Sequence, residues 1–160
     1  MPTQTQSRNN ILLLALYLAA LAVVSLLTRG LIPVDETRYT TVAWEMWLRN
    51  DWLVPYLNGE TYSHKPPLLF WLFMAGWQLF GVNEWWPRLV PFLFSFASLL
   101  LVQQLGRSIW PHSNAGLMAP FIVLGFMMYA FFSTAVMFDM MLTFFVLLAI
   151  TGIYRIMSGG

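Results

Sequence analysis

The stretch LLFWLFMAGWQLF, residues 68–80, carries no charge and is bounded by Pro66-Pro67 in front and Gly81 behind. At about 1.5 Å per residue, a helix of this length reaches only about 20 Å, short of the roughly 30 Å hydrocarbon core of a bilayer. It is therefore read as an interfacial or re-entrant helix. Counting it as a span would invert the orientation of every segment that follows.

That a bilayer is involved follows from composition. Of 160 residues, 59% are hydrophobic and 9% charged, with mean hydropathy +0.66, whereas a soluble domain carries about 25% charged residues. Four segments are long and apolar enough to cross: Ile11–Thr28, Arg88–Arg107, Ala115–Phe132 and Phe138–Ile156. The run behind Arg8 lacks the small-residue cleavage site of a signal peptide, so Ile11–Thr28 reads as a retained span. Pro87 stands at the opening of the second span, where its missing N–H costs nothing.

With residues 68–80 held at the interface, Arg8, Arg107 and Arg155 fall on one side, as the positive-inside rule prefers. The N-terminus is then cytoplasmic and the long loop 30–86 lies outside. The expected fold class is all-α, a polytopic membrane bundle of about four transmembrane helices with interfacial helices in that first loop.

Several function classes drop out. A net charge of +1 without any block of Lys or Arg gives no footprint for nucleic acid. Cysteine is absent, which removes disulfides, thiolate nucleophiles and zinc-thiolate sites. His64 and His112 lie far apart in sequence, and no metal-binding cluster is visible.

The chemistry concentrates in the loop. It holds six of the seven acids, the only lysine and seven of the eight tryptophans, residues that favour the headgroup region. Tyr39, Val42, Ala43, Met46 and Trp47 recur at helical spacing, with Arg38, Glu45 and Arg49 largely opposite, the pattern of an amphipathic helix lying in the interface. Asp35 stands at its start, where a carboxylate can cap free N–H groups. Taken alone, Asp35 would be a helix cap and Glu36 a solvated first-turn acid.

Two further residues point to more. Lys65, held before Pro66-Pro67 at the mouth of an apolar helix, suits a phosphate at headgroup depth, although a lysine there can also simply snorkel to the interface. Asp139, the acid outside the loop, opens the fourth span on the loop's side of the membrane, where acids are costly and mark sites. Two acidic positions and one cation beside aromatic-rich grooves could hold a lipid phosphate while a carboxylate activates an acceptor.

The ordered motifs DETRY (35–39), W-x-x-P-Y-L-N-G-E-x-Y (52–62), HKPPLLFWL (64–72), FGVNEWWPRL (80–89) and FDMMLTFF (138–145) resemble the start of bacterial polyprenyl-phosphate-sugar glycosyltransferases. These are GT-C enzymes related to protein O-mannosyltransferases and to the aminoarabinose transferase of lipid A. The resemblance runs from about Leu31 to Leu148.

It implies a membrane transferase of the bacterial inner membrane that moves a sugar from a polyprenyl-phosphate donor to a lipid, glycan or protein acceptor at the periplasmic face. On this resemblance Asp35, Glu36 and Asp139 are the catalytic acids, Asp35 activating the acceptor and Asp139 supporting the site. Lys65 binds the donor phosphate, with Arg38, Tyr62 and His64 as further substrate-binding residues. No cofactor is implied with certainty, and a divalent metal is left open. Position 64 is His where the aminoarabinose transferases carry an acid before the lysine, so a metal contact attached to that acid does not carry over.

Such enzymes carry many more spans and a soluble C-terminal domain. The chain, ending at Ser158-Gly159-Gly160, thus reads as the N-terminal part of a longer protein. The alternative is a noncatalytic polyprenyl-phosphate-binding or transport subunit that uses Lys65 and the aromatic loop.

Overall fold

The computed structural model describes residues 4–159. Its long helices form where the sequence is continuously apolar: α1 over Gln4–Thr28, then, beyond the loop, the helices Trp85–Ile109 and Asp139–Met157. Among the described residues these three are long and apolar enough to cross a membrane.

The loop between them is folded. α2 runs from Asp35 to Arg49, a two-stranded hairpin pairs β1 (Tyr56–Leu57) with β2 (Glu60–Thr61), and α3 covers Leu68–Phe80. α3 thus has the short extent expected of it, ending at Gly81 with φ 71°. α4 (Trp85–Ile109) follows; its start is tied by the Asn83 side chain, which accepts the Trp86 N–H at 2.8 Å.

The α2 pattern is realised with a different partner. Tyr39, Val42, Ala43 and Met46 are buried against Leu69, Phe70, Phe73, Met74 and Trp77 of α3. The apolar face of α2 therefore rests on α3 rather than on lipid, because α3 offers it a continuous aromatic surface. Trp86 locks the far side of α3 by donating its indole N–H to the Leu72 carbonyl at 2.9 Å. Gly76 makes room for that ring, since a Cβ there would stand 1.8 Å from the Trp86 Nε1.

The third expected span, Ala115–Phe132, is not one helix. It is divided into α5 (Ala115–Gly125) and α6 (Met127–Phe132), with Phe126 extended between them at φ −73° and ψ 123°. Pro120 has already removed one helical hydrogen bond, and Gly125 at the break is a poor helix former. The turn 133–138 then leads into α7 (Asp139–Met157).

Around α4 the bundle closes with a second apolar cluster of Leu14, Leu18, Leu99 and Leu124. At its other end α4 crosses α5 closely: a Cβ on Gly106 would meet the Gly116 Cα at 2.9 Å. Paired small residues allow this approach where helices meet in lipid.

Candidate functional site

The acidic pair divides into two unlike environments. α2 begins at Asp35 itself, its N-cap position is Val34, and no side chain caps it. The capping role expected of Asp35 is therefore not realised. Its carboxylate instead pairs with Arg38 one turn along, in an ion pair whose side chains are 48% and 34% exposed.

Glu36 is the opposite of a solvated first-turn acid. It is 1% exposed. One carboxylate oxygen accepts from the Val136 N–H at 2.6 Å and from Arg29 at 3.3 Å; the other accepts from Arg29 at 2.7 Å and from the Ile32 N–H at 2.5 Å. Arg29 also donates to the Thr134 carbonyl at 2.9 Å. Behind it Arg88, 6% exposed, donates to the Arg29 carbonyl at 2.8 Å. Two arginines and one glutamate thus clasp the ends of α1, α2 and α4 to the turn that precedes α7.

This clasp sets the backbone of Asp35 on one side and of Phe138-Asp139 on the other. Phe138 is the hub of the site. Its ring meets Tyr39 of α2 at 5.1 Å and Phe70 of α3 at 5.6 Å, both edge-on, and the Lys65 Nζ lies 5.6 Å from its centroid. Lys65 is exposed, so its ammonium has one aromatic face behind it and open space before it.

Tyr62 closes the group. Its ring lies 5.1 Å from His64 and 6.4 Å from Phe70. Burial pushes its hydroxyl above the usual phenol range, partly countered by the Arg38 charge. It is a neutral hydrogen-bonding group at neutral pH. Asp139, half-buried in the first turn of α7, has no hydrogen-bond or ion-pair partner for its carboxylate among the described residues.

The hairpin that carries Tyr62, His64 and Lys65 is tied to α2. Asn58 and Gly59 form its turn with φ 55° and 84°, and their N–H groups donate to the Glu45 carboxylate at 2.5 and 3.0 Å. Arg49 lies over the Tyr56 ring, 4.2 Å from its centroid. α2 thereby positions residues on both sides of the site.

The structure thus gathers Tyr39, Phe70 and Lys65 on the Phe138 ring, joins Tyr62 and His64 to them through Phe70, and sets the Arg38 guanidinium, paired with Asp35, over Tyr39. Among the described residues no three His, Asp or Glu side chains gather to hold a metal ion. Such a surface can hold an anion by Lys65 and Arg38 and offer a carboxylate to a neighbouring hydroxyl.

The family model described as dolichyl-phosphate-mannose-protein mannosyltransferase matches residues 9–159. The chain belongs to that family. It is similar to the undecaprenyl phosphate-alpha-4-amino-4-deoxy-L-arabinose arabinosyl transferase of Pseudomonas aeruginosa, 29% identical over 86% of this chain and 25% of the relative. The corresponding protein of Pseudomonas savastanoi pv. phaseolicola is 36% identical over 64% of this chain and 19% of the relative.

Among solved structures, ArnT from Cupriavidus metallidurans bound to undecaprenyl phosphate superposes with a TM-score of 0.80 at 26% identity. That match covers 91% of this chain and 27% of the other. The chain spans about a quarter of the length of these relatives. As a member of the mannosyltransferase family it is a multi-pass membrane protein.

Four contributors to the site were not singled out from sequence. Arg29 and Arg88 sit at span ends, where a basic residue signals only the interface. Glu45 and Phe138 carry no local signal for what they contact across the fold. The Asn58-Gly59 dipeptide between short apolar stretches was a readable hairpin mark.

Proposed function

We propose that the chain is the N-terminal part of a GT-C transmembrane domain, in an enzyme that transfers a sugar from a polyprenyl-phosphate donor to a lipid, glycan or protein acceptor. The observation that carries this is that Lys65 lies on the Phe138 ring, which also meets Tyr39, the ring beneath the Arg38 guanidinium that pairs with Asp35. The relatives act on undecaprenyl-phosphate-linked aminoarabinose, and the ArnT structure holds undecaprenyl phosphate. An undecaprenyl-phosphate-linked sugar is therefore the donor class assigned here. The spans are placed in the bacterial inner membrane, with the N-terminus cytoplasmic and the loop 30–86 periplasmic.

In the reaction, the acceptor oxygen attacks the anomeric carbon while the bond from that carbon to the phosphate oxygen breaks. Lys65 stabilises the negative charge growing on the departing lipid phosphate, and Arg38 adds to the field. Asp35 takes the acceptor's proton or orients an acceptor phosphate that needs no base. Tyr62 and His64 contribute hydrogen bonds to the bound sugar phosphate, and Asp139, at the start of α7, is assigned a supporting role. Glu36 is assigned to positioning, because its carboxylate already accepts four hydrogen bonds.

The test is transfer of radiolabelled sugar from a panel of polyprenyl-phosphate donors, in membranes containing the full-length parent, wild type against Asp35→Asn. Loss of transfer with donor binding retained supports the enzyme. Equal transfer by both, with donor binding lost in Lys65→Ala, would replace it by a noncatalytic lipid-binding subunit.

A further inference from the structure

Among the described residues Lys65 is a cation without a counter-charge: the ion pairs there are Arg29 with Glu36 and Arg38 with Asp35. What lies beside Lys65 is a ring, with the Nζ 5.6 Å from the Phe138 centroid. A lysine has a flexible four-carbon stem, and at an exposed position that freedom spreads the ammonium over many rotamers. Pro66-Pro67 stiffen the backbone beside it but leave the side chain free.

A carboxylate and an aromatic ring restrain a lysine with different results. A carboxylate neutralises the cation and competes with an incoming phosphate for the same N–H donors. The face of a ring attracts the ammonium through its quadrupole and leaves the full charge to the ligand. The two basic residues of the site differ in this respect. Arg38 lies over the Tyr39 ring, 5.3 Å from its centroid, and is also paired with Asp35, whereas Lys65 has a ring and no acid.

Such a restraint works only if the ring itself is fixed. Tyr39 of α2 and Phe70 of α3, 4% and 0% exposed, meet Phe138 at interplanar angles of 87° and 86°. The backbone is set as well. The Phe138 carbonyl accepts the Leu142 N–H at 2.9 Å in the first turn of α7, and two residues before Phe138 the Val136 N–H donates to the buried Glu36. Phe138 is thus tied to α2, α3 and α7 at once, and Lys65 rests on the part of the ring that remains.

We propose that Phe138 is a positioning residue for phosphate binding, whose ring holds the Lys65 ammonium in place at full charge. The proposal rests on the reading of Lys65 as the phosphate-binding cation. Phe138 touches no reacting atom and acts through Lys65, so its contribution depends on the electronic character of the ring and exists only while the lysine is there.

The experiment measures equilibrium binding of radiolabelled undecaprenyl phosphate to the detergent-solubilised full-length parent. Phe138→Leu is expected to weaken binding about two- to five-fold, the size of one cation–π contact at an exposed site. Phe138→Tyr retains binding. Trifluorophenylalanine installed at position 138 keeps the shape of the ring but removes its negative face, and weakens binding as leucine does. In a Lys65→Ala background the same replacements have no further effect, because the pair acts as a unit.

Full binding with the fluorinated ring would overturn the proposal, since the ring would then matter by shape alone. An equal loss from Phe138→Leu with and without Lys65 would overturn it too, by placing the effect in the fold. The fluorinated ring is close to phenylalanine in volume, so it carries the test even where Phe138→Leu fails to fold. Unchanged binding in Lys65→Ala would sink this proposal together with the reading beneath it. Binding lost in Lys65→Ala and kept in every Phe138 variant would sink this proposal alone.

Discussion

Glu36 and Val136 stand a hundred residues apart, and the carboxylate of the first accepts the backbone N–H of the second at 2.6 Å. That bond joins the start of the helix bearing Asp35 to the turn bearing Phe138 and Asp139. Removing one partner of a buried, hydrogen-bonded ion pair strands the other and costs about 3–5 kcal/mol. Glu36→Ala is therefore expected to lower the unfolding temperature of the detergent-solubilised full-length protein strongly. Glu36→Gln should also destabilise it, since an amide presents a donor to groups that are themselves donors. A thermal melt unchanged by either variant would remove the clasp from the account of the site.

Asp35 should behave in the other way. Its pair with Arg38 is about half exposed, and such pairs contribute about 0–1 kcal/mol. Asp35→Asn is expected to leave the melt nearly unchanged while sugar transfer falls by about 10²- to 10⁴-fold, the range for loss of a general base. Two neighbouring acids would thus separate cleanly, one failing in a stability assay and the other in a transfer assay. A comparable loss of stability in both would show that Asp35 also is structural.

Much of this was legible from local patterns. The extent of α3 followed from thirteen apolar residues between Pro66-Pro67 and Gly81, and the buried face of α2 from the spacing of Tyr39, Val42, Ala43 and Met46. The break at Phe126 was not, because Gly125 within an apolar run is compatible with a continuous span. The split between Asp35 and Glu36 was hidden for a deeper reason. On a helix adjacent residues point about 100° apart, so one can face the solvent while the next enters the core, and which does so depends on partners such as Arg29 and Val136 that lie elsewhere in the chain.

Lys65 owes its place to Phe138 behind it and to no acidic partner among the described residues. It is thus free to meet an anionic ligand. Lys65→Ala is expected to raise the KM for the polyprenyl-phosphate donor about tenfold, as loss of a charge-assisted hydrogen bond does, with Lys65→Arg recovering part of it. Steady-state kinetics with varied donor at saturating acceptor measures this. An unchanged donor KM would return Lys65 to an interface-snorkelling role.

The loop that leads into the hairpin has its own pH dependence. The Leu53 and Val54 N–H groups donate to Asp51 at 2.9 and 3.1 Å and hold its carboxyl below the usual carboxylate range. A depressed folded-state value means that the contribution is present above the unfolded-state pKa and fades as pH falls through the folded one. Amide exchange at residues 53 and 54 should therefore accelerate, relative to the intrinsic rate, only in acid below about pH 4. Asp51→Asn should remove that step. A step centred near neutral pH would point to a different group.

Glu45 tests whether the hairpin turn positions the phosphate-binding face. Its two oxygens each take one N–H of Asn58-Gly59, and that turn is joined through β2 to Tyr62, His64 and Lys65. Glu45→Gln keeps one acceptor and loses the other, so the turn is expected to loosen without unfolding α2. The expected result is a donor KM raised a few-fold at constant kcat, with hydrogen exchange faster at residues 58 and 59, in line with the loss of about 1 kcal/mol for one hydrogen bond. If kcat falls and KM holds, Glu45 acts on the chemistry rather than on the placement of Lys65, and the division of labour between the two sides of α2 would have to be redrawn.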